Sequence, residues 1–313
     1  MVQGTPKLLG RRKTVGLPAE TPAARFDADV TLAAVAREWL LDLRVMGRSP
    51  RTIGFYDQKL KQFLRESAAT RLADLTAFEL KRYIGELRER ELSDHTIHGA
   101  YEVLKALGNW ANREGYSVDP ALLLVRAPKV ANKEMETFTH PQVDTLLEAA
   151  PQGWPRLAVQ ILLGTGMRLG ELVALTLDDI EDDGDVAFLK IRHGKGAKFR
   201  RTPMSDRLRR EVNRYLNRWR PEVSSRSLLV MSTGRPVREI TVSELFRRLR
   251  AKTGLAVRAH KLRHTFATEY LRNGGDIERL RRLLGHTTYL MVMRYVHLDK
   301  GDLARDINTR SPF

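Results

Sequence analysis

The chain has 313 residues, 42% of them hydrophobic, and a formal net charge of +16. It contains no cysteine, which removes disulfides, thiolate nucleophiles, Cys-ligated zinc and iron–sulfur clusters. No apolar run approaches the roughly 18 residues of a membrane span, and the basic surplus favours a polyanionic partner, nucleic acid ahead of an anionic membrane.

The length suggests two domains. Residues 1–27 carry Gly, Pro and the basic residues Lys7, Arg11, Arg12 and Lys13 without apolar period, and read as a flexible basic arm. No apolar stretch follows those charges, so the segment is not expected to be a secretory signal. From Thr31 the period is helical. Leu32, Val35, Trp39, Leu43 and Met46 form one stripe, which Gly47 ends. Ser49-Pro50 opens a second helix with Ile53, Tyr56, Leu60, Phe63 and Leu64 inward. Thr76 begins a third through Leu80, Tyr83, Ile84 and Leu87, and Ser93 caps a fourth with Ile97, Val103, Leu104, Leu107 and Trp110. Residues 28–116 are thus expected to form a small all-helical domain.

Residues 117–138, with Pro120 and Pro128, read as an interdomain linker, and 139–313 as a second domain. Thr139, Pro141 and Gln142 have capping-box spacing. A buried helix over 157–163 runs into Gly164-Thr165-Gly166, and another starts at Met167. Residues 186–191 and 199–204 read as two strands of a hairpin around Gly194-Lys195-Gly196. Helices follow to the C-terminus. The expected fold class is mainly α, with a mixed α+β second domain holding a small antiparallel hairpin.

Several polar residues stand where a core pattern does not ask for them. Arg168 follows a glycine turn at a helix start. Lys195 sits at the hairpin tip. His260, Arg263 and His264 open a helix whose apolar side is Leu262, Phe266 and Tyr270. Asp276 caps the next helix, which stops at Gly285-His286, and Thr288 caps another that carries Tyr295. Helix starts favour anions, and arginine grips two phosphate oxygens at once, so this set suits a phosphate pocket. At about 100° per residue, Tyr289, Val292, Met293 and Val296 share a face and Tyr295 projects roughly 110° from it. Tyr289 is therefore the expected core tyrosine and Tyr295 the one facing a cleft. Taken singly, each of these residues reads as an ordinary surface, cap or core residue; only the set reverses that. The histidines lack carboxylates at ligand spacing, so neither metal nor cofactor is expected.

The stretch Thr165-Gly166-Met167-Arg168-Leu169-Gly170-Glu171-Leu172 resembles the first box of the tyrosine recombinases, the phage-integrase family. His260-Lys261-Leu262-Arg263-His264 resembles the family's His-x-x-Arg box, and Leu283-Leu284-Gly285-His286 its next motif. Tyr295 follows His286 by nine residues, the family's spacing for its nucleophile, and Gly194-Lys195-Gly196 resembles the lysine hairpin. The similarity spans about residues 28–305. It implies a SAM-like core-binding domain ahead of a catalytic domain. With only residues 1–27 ahead of these, a simple recombinase without an arm-binding domain is expected.

The resemblance further implies site-specific, cofactor-independent recombination of double-stranded DNA in the cytoplasm. Tyr295 would attack a phosphate, Arg168 and Arg263 neutralise it, and His286 donate a hydrogen bond. Lys195 would act as general acid, with Lys198 the alternative, and His260 would manage the tyrosine proton. Glu171 would be a buried support, and His264 and Tyr270 structural. Residues 191–210 hold eight Lys or Arg and one acid, and Arg48, Arg51, Lys59, Lys61 and Arg65 add basic charge to the first domain. A clamp around DNA and a homotetramer on two duplexes are implied, with the tail residues Leu298, Leu303 and Ile307 docking on a neighbour and room for an accessory directionality factor. Two alternatives stand beside this reading: a protein that binds DNA without cutting it, and a type IB topoisomerase.

Overall fold

The chain divides into two compact units, residues 1–133 and 134–313. The computed structural model describes residues 30–130, 136–192, 200–286 and 288–293. Among them no helix is long and apolar enough to cross a membrane.

The first unit is built from α1 (Leu32–Val45), α2 (Pro50–Glu66), α3 (Ala77–Glu89) and α4 (Asp94–Arg113). Each starts on a hydroxyl cap: the side chains of Thr31, Ser49, Thr76 and Ser93 accept a backbone N–H of the first turn. The helical stripes meet in one core that contains Trp39, Leu60, Phe63, Tyr83, Leu104 and Trp110. Met46 departs from the expected stripe. It lies past the last residue of α1, where the backbone leaves helical geometry, and its side chain is exposed.

The expected linker starts later than the prolines suggest. A 3-10 turn, Leu122–Leu124, follows α4, and Leu122 is fully buried in the first unit's core. Gly108 on α4 makes room for it, since a Cβ there would fall 2.7 Å from Leu122 Cδ2. The segment is also held by polar bonds. Lys105 Nζ donates to the carbonyls of Leu122 (3.0 Å) and Val125 (3.2 Å), and the Tyr101 hydroxyl donates to Val125 O at 2.6 Å. Pro120 precedes this turn without releasing the chain from the core.

The second unit contains α5 (His140–Ala149), α6 (Trp154–Thr165) and α7 (Leu169–Ala174), then β1 (Ile180–Asp182), β2 (Ala187–Ile191) and β3 (Arg200–Pro203). It continues with α8 (Asp206–Arg218), α9 (Glu239–Thr253), α10 (Ala259–Arg272), α11 (Ile277–Leu284) and α12 (Leu290–Met293). The fold is thus mainly helical with one small antiparallel sheet, in the order β1-β2-β3. The hairpin was expected; β1, only three residues long, was not. Ala187, Leu189 and Ile191 point into the core with the period of a strand. Across the ladder Leu189 pairs with Thr202 and Ile191 with Arg200, so Arg200 and the buried Thr202 share the core-facing side of β3. Helix α10 lies against α6. Its Leu262 joins the main core, and Ala267 joins a second cluster with Leu280, Leu284 and Val292.

The Leu122 packing gives a direct test. Leu122→Ala should lower the stability of the first unit by about 2–5 kcal/mol, as for other buried leucines. Chemical denaturation of the protein would read this; a change near zero would restore Leu122 to a free linker.

Candidate active site

The site is assembled from four chain segments. The first is the turn between α6 and α7. Gly166 ends α6 in the left-handed region (φ 61°), and its N–H bonds Leu162 O at 3.0 Å. A Cβ there would lie 2.3 Å from Phe266 and 2.8 Å from Leu284, so only glycine permits both the turn and the approach of α10 and α11. Arg168 then occupies the N-cap position of α7. Its backbone N–H donates to Glu171 Oε2 (2.8 Å) and its Nη1 to Glu171 Oε1 (2.9 Å). Glu171, three residues into the helix, thereby fixes the backbone and the guanidinium of the same residue.

The second segment is the first turn of α10. Arg263 is almost fully buried. Its Nη1 donates to Gly166 O at 2.6 Å, and its Nη2 donates to Leu284 O at 2.8 Å and meets His286 Nε2 at 2.7 Å. It therefore ties the α6–α7 turn to the end of α11. One turn earlier on the same helix, the His260 ring stands edge-on to His264, with centroids 4.3 Å apart. His264 is buried.

The third segment is the end of α11. Gly285 closes the helix with φ 64°, and His286 follows with its N–H on Arg281 O (3.0 Å) and its carbonyl accepting from Arg281 Nη1 (3.0 Å). Arginine can only donate, so His286 Nε2 accepts and the imidazole is neutral. The electrostatics agree. Burial first, and then the charges of Arg263, Arg168 and Arg200 and of His260, push the His286 pKa down from 6.5 to about 4.

The fourth segment is β3. Arg200 grips Glu171 with both ends of its guanidinium, Nη1 to Oε1 at 3.0 Å and Nη2 to Oε2 at 2.7 Å, while its Nε donates to Leu283 O at 2.9 Å. Burial alone would raise the Glu171 carboxyl. The hydrogen bonds from Arg200 and the Arg168 backbone, with the charge of Arg200, outweigh it and hold the group below its ordinary range. Arg200 was not singled out in the sequence. The available signal was strand period: Thr202 and Met204 face inward, and Arg200 is in phase with them.

Of the residues expected in the site, Arg168, His260, Arg263 and His286 come together, with Glu171 beneath them as expected. Lys195, its alternative Lys198, and Tyr295 lie outside the described residues, as does the tail with Leu298, Leu303 and Ile307. One expectation is corrected. Tyr289 is not a core residue; it is more than half exposed, and among the described residues of its stripe Val292 alone is fully buried. The Arg281 guanidinium lies over the Tyr289 ring at 5.4 Å, and hydrogen bonding to Glu278 raises the phenol's pKa. This tyrosine is held by the ion pairs of α11 instead of by apolar packing. Among the described residues no group of three or more His, Cys, Asp or Glu could hold a metal.

The sequence model of the phage integrase family matches residues 136–302, the span that supplies all four segments. The chain belongs to that family. Tyrosine recombinase XerA of Pyrococcus furiosus is 32% identical over 269 residues, covering 84% of this chain and 89% of that protein. Tyrosine recombinase XerD of Staphylococcus haemolyticus is 26% identical, covering 90% and 99%. By this kinship the chain is a tyrosine recombinase. Its fold is shared with a lambda integrase dimer bound to a COC′ core site (TM-score 0.72, 21% identity, 85% of this chain and 77% of that one). It is shared also with the Tn1549 transposon integrase in complex with a circular intermediate DNA (TM-score 0.73, 18% identity, 90% and 99%).

A neutral His286 in the folded recombinase has a consequence for stability. Between about pH 4 and 6.5 the unfolded chain binds this proton and the folded chain does not. The stabilisation is complete above about 6.5 and is lost as the pH falls toward 4. The Tm of the wild type should therefore fall more steeply over that window than that of His286→Asn. Parallel profiles in a thermal melt series would contradict a neutral imidazole in the fold.

Proposed function

We propose that this chain is a site-specific recombinase that cuts and rejoins double-stranded DNA through a 3′-phosphotyrosyl link to Tyr295. The observation that carries the proposal is the convergence of Arg168, Arg263 and a neutral His286 on one spot. Two guanidiniums, those of Arg168 and Arg200, hold the Glu171 carboxylate, and that of Arg263 meets His286. Such a pocket carries surplus positive charge and is matched to an anion. A phosphodiester in transition gathers negative charge on its non-bridging oxygens, which Arg168 and Arg263 would neutralise while His286 donates its Nδ1 hydrogen, its Nε2 being the acceptor from Arg263.

In the reaction, Tyr295 Oη forms a bond to phosphorus as the bond to the 5′-oxygen breaks. The tyrosine proton leaves toward His260, and Lys195, with Lys198 as the alternative, protonates the departing 5′-oxygen. The phosphodiester energy is kept in the phosphotyrosyl bond. Attack by the 5′-hydroxyl of a second duplex completes the exchange without ATP or another cofactor. A lambda integrase tetramer bound to a Holliday junction has the same fold, at 22% identity and a TM-score of 0.72. It supports a homotetramer on two duplexes here; in this reading the tail after Tyr295 links neighbours and an accessory factor can set direction. The net charge of +16 supports binding along the phosphate backbone. The cytoplasm, where chromosomal and element DNA are met, is the proposed place of action.

The protein, expressed with its native DNA, denatured and captured, should carry covalently attached DNA that ends at one recurrent sequence. Tyr295→Phe should carry none. Wild-type protein that binds this DNA reversibly but never links to it would overturn the cutting reaction. Affinity for a duplex bearing the recovered sequence should fall on the order of a thousandfold between 50 and 200 mM salt, as for six or more phosphate contacts. A flat salt response in a fluorescence titration would remove the backbone-dominated binding mode.

A further inference from the structure

The Arg200 side chain makes three hydrogen bonds, two to Glu171 and one to Leu283 O, and so reaches two parts of the site. Both ends of its guanidinium hold Glu171, which in turn fixes Arg168. Its Nε holds Leu283 O at 2.9 Å, three residues before His286. Its own backbone begins β3, directly after the segment that carries Lys195 and Lys198. The environment is built to receive it. The side chain is only 12% exposed and Glu171 only 3%. At Gly285 a Cβ would come within 2.9 Å of Arg200 Nη1 and 3.2 Å of its Cζ, so a side chain there would displace the guanidinium.

We propose that Arg200 is a positioning residue for strand cleavage, which sets Arg168 and His286 in one frame without touching the phosphate. This rests on the recombinase reading above. The geometry makes the role hard for another residue to supply. Glu171 already spends one hydrogen bond on the Arg168 backbone and one on its guanidinium. Only a second planar fork fills the remaining lone pairs of both oxygens and still has an Nε to reach Leu283. Lysine would keep the charge and lose the fork. Glutamine would keep neither the charge nor the full donor set.

The charge has a separate effect. The groups bearing on the His286 ring are Arg263 and His260 from α10, Arg168 at the start of α7, and Arg200 from β3. Arg281 of α11 bonds the His286 carbonyl, and Glu171 lies behind Arg168 and Arg200. Removing the Arg200 charge makes imidazole protonation easier, whereas Arg200→Lys leaves that charge in place.

The experiment compares wild type, Arg200→Gln and Arg200→Lys on a nicked duplex bearing the sequence recovered covalently from the wild type. Binding, thermal melting and the rate of covalent linkage at saturating protein are read from pH 3.5 to 9. We expect Arg200→Gln to bind within about twofold of wild type and to link about 10–100-fold more slowly, the usual scale for a supporting hydrogen-bond partner. Its acidic limb should move to higher pH. Arg200→Lys should be intermediate in rate with the limb at the wild-type position. Arg200→Gln linking at the wild-type rate per bound complex, with an unmoved limb, would overturn the proposal and leave Arg200 a stabilising residue. Should Arg200→Gln fail to fold, Arg200→Lys decides: a folded variant as fast as wild type overturns the proposal, and a slower one with an unmoved limb supports it. A wild type that links to no DNA would instead bring down the recombinase reading, and this inference with it.

Discussion

The Glu171 carboxylate is the interaction on which the site depends. It is almost wholly buried, and a lone carboxylate in such a place is strongly disfavoured. Four hydrogen bonds of 2.7–3.0 Å offset that, two from Arg168 and two from Arg200. The arrangement has a local part and a distant part. The Arg168 bonds follow from three-residue spacing at a helix start. The Arg200 bonds follow from a strand 29 residues away. Without the carboxylate, two guanidiniums would repel each other at close range. Without either arginine, a buried charge would lose half its partners.

One carboxylate among three arginines also leaves the pocket electropositive. Burial first, and then this charge, keep His286 neutral in the resting protein, with Arg263 N–H seated on its Nε2. A bound phosphate would reverse the balance. It would take up the guanidinium hydrogens and relieve the repulsion on the imidazole. Gly166 and Gly285 matter here by what they lack, since each lets a guanidinium or a neighbouring helix come closer than a Cβ would allow.

Most other ion pairs of the chain do less. Glu181 bridges Lys190 and Arg201 on the outer side of the sheet, and Glu278 joins Arg281 and Arg282 along α11. Pairs of this kind near the surface contribute little each and weaken with salt. Their value lies in placement. The Glu278–Arg281 pair holds Tyr289 outside the core and braces the carbonyl of His286. The charge left over after such pairing is what the protein offers to a polyanion.

Much of this was legible in the sequence because the signals are short-range. Helix stripes, hydroxyl caps and the Arg168–Glu171 spacing depend on residues within one or two turns, and the backbone geometry that reads them is the same in any fold. The motif residues Arg168, His260, Arg263 and His286 were recognisable for the same reason, each sitting at or within about a turn of a helix end. The tertiary structure decided what depends on partners far along the chain. Leu122 is core because Gly108 leaves a hole, Tyr289 is surface because α11 offers it Glu278 and Arg281, and Arg200 is part of the site because its strand faces Glu171. No local pattern contains those facts, since burial and charge pairing are properties of the neighbours a residue acquires only when the chain closes on itself.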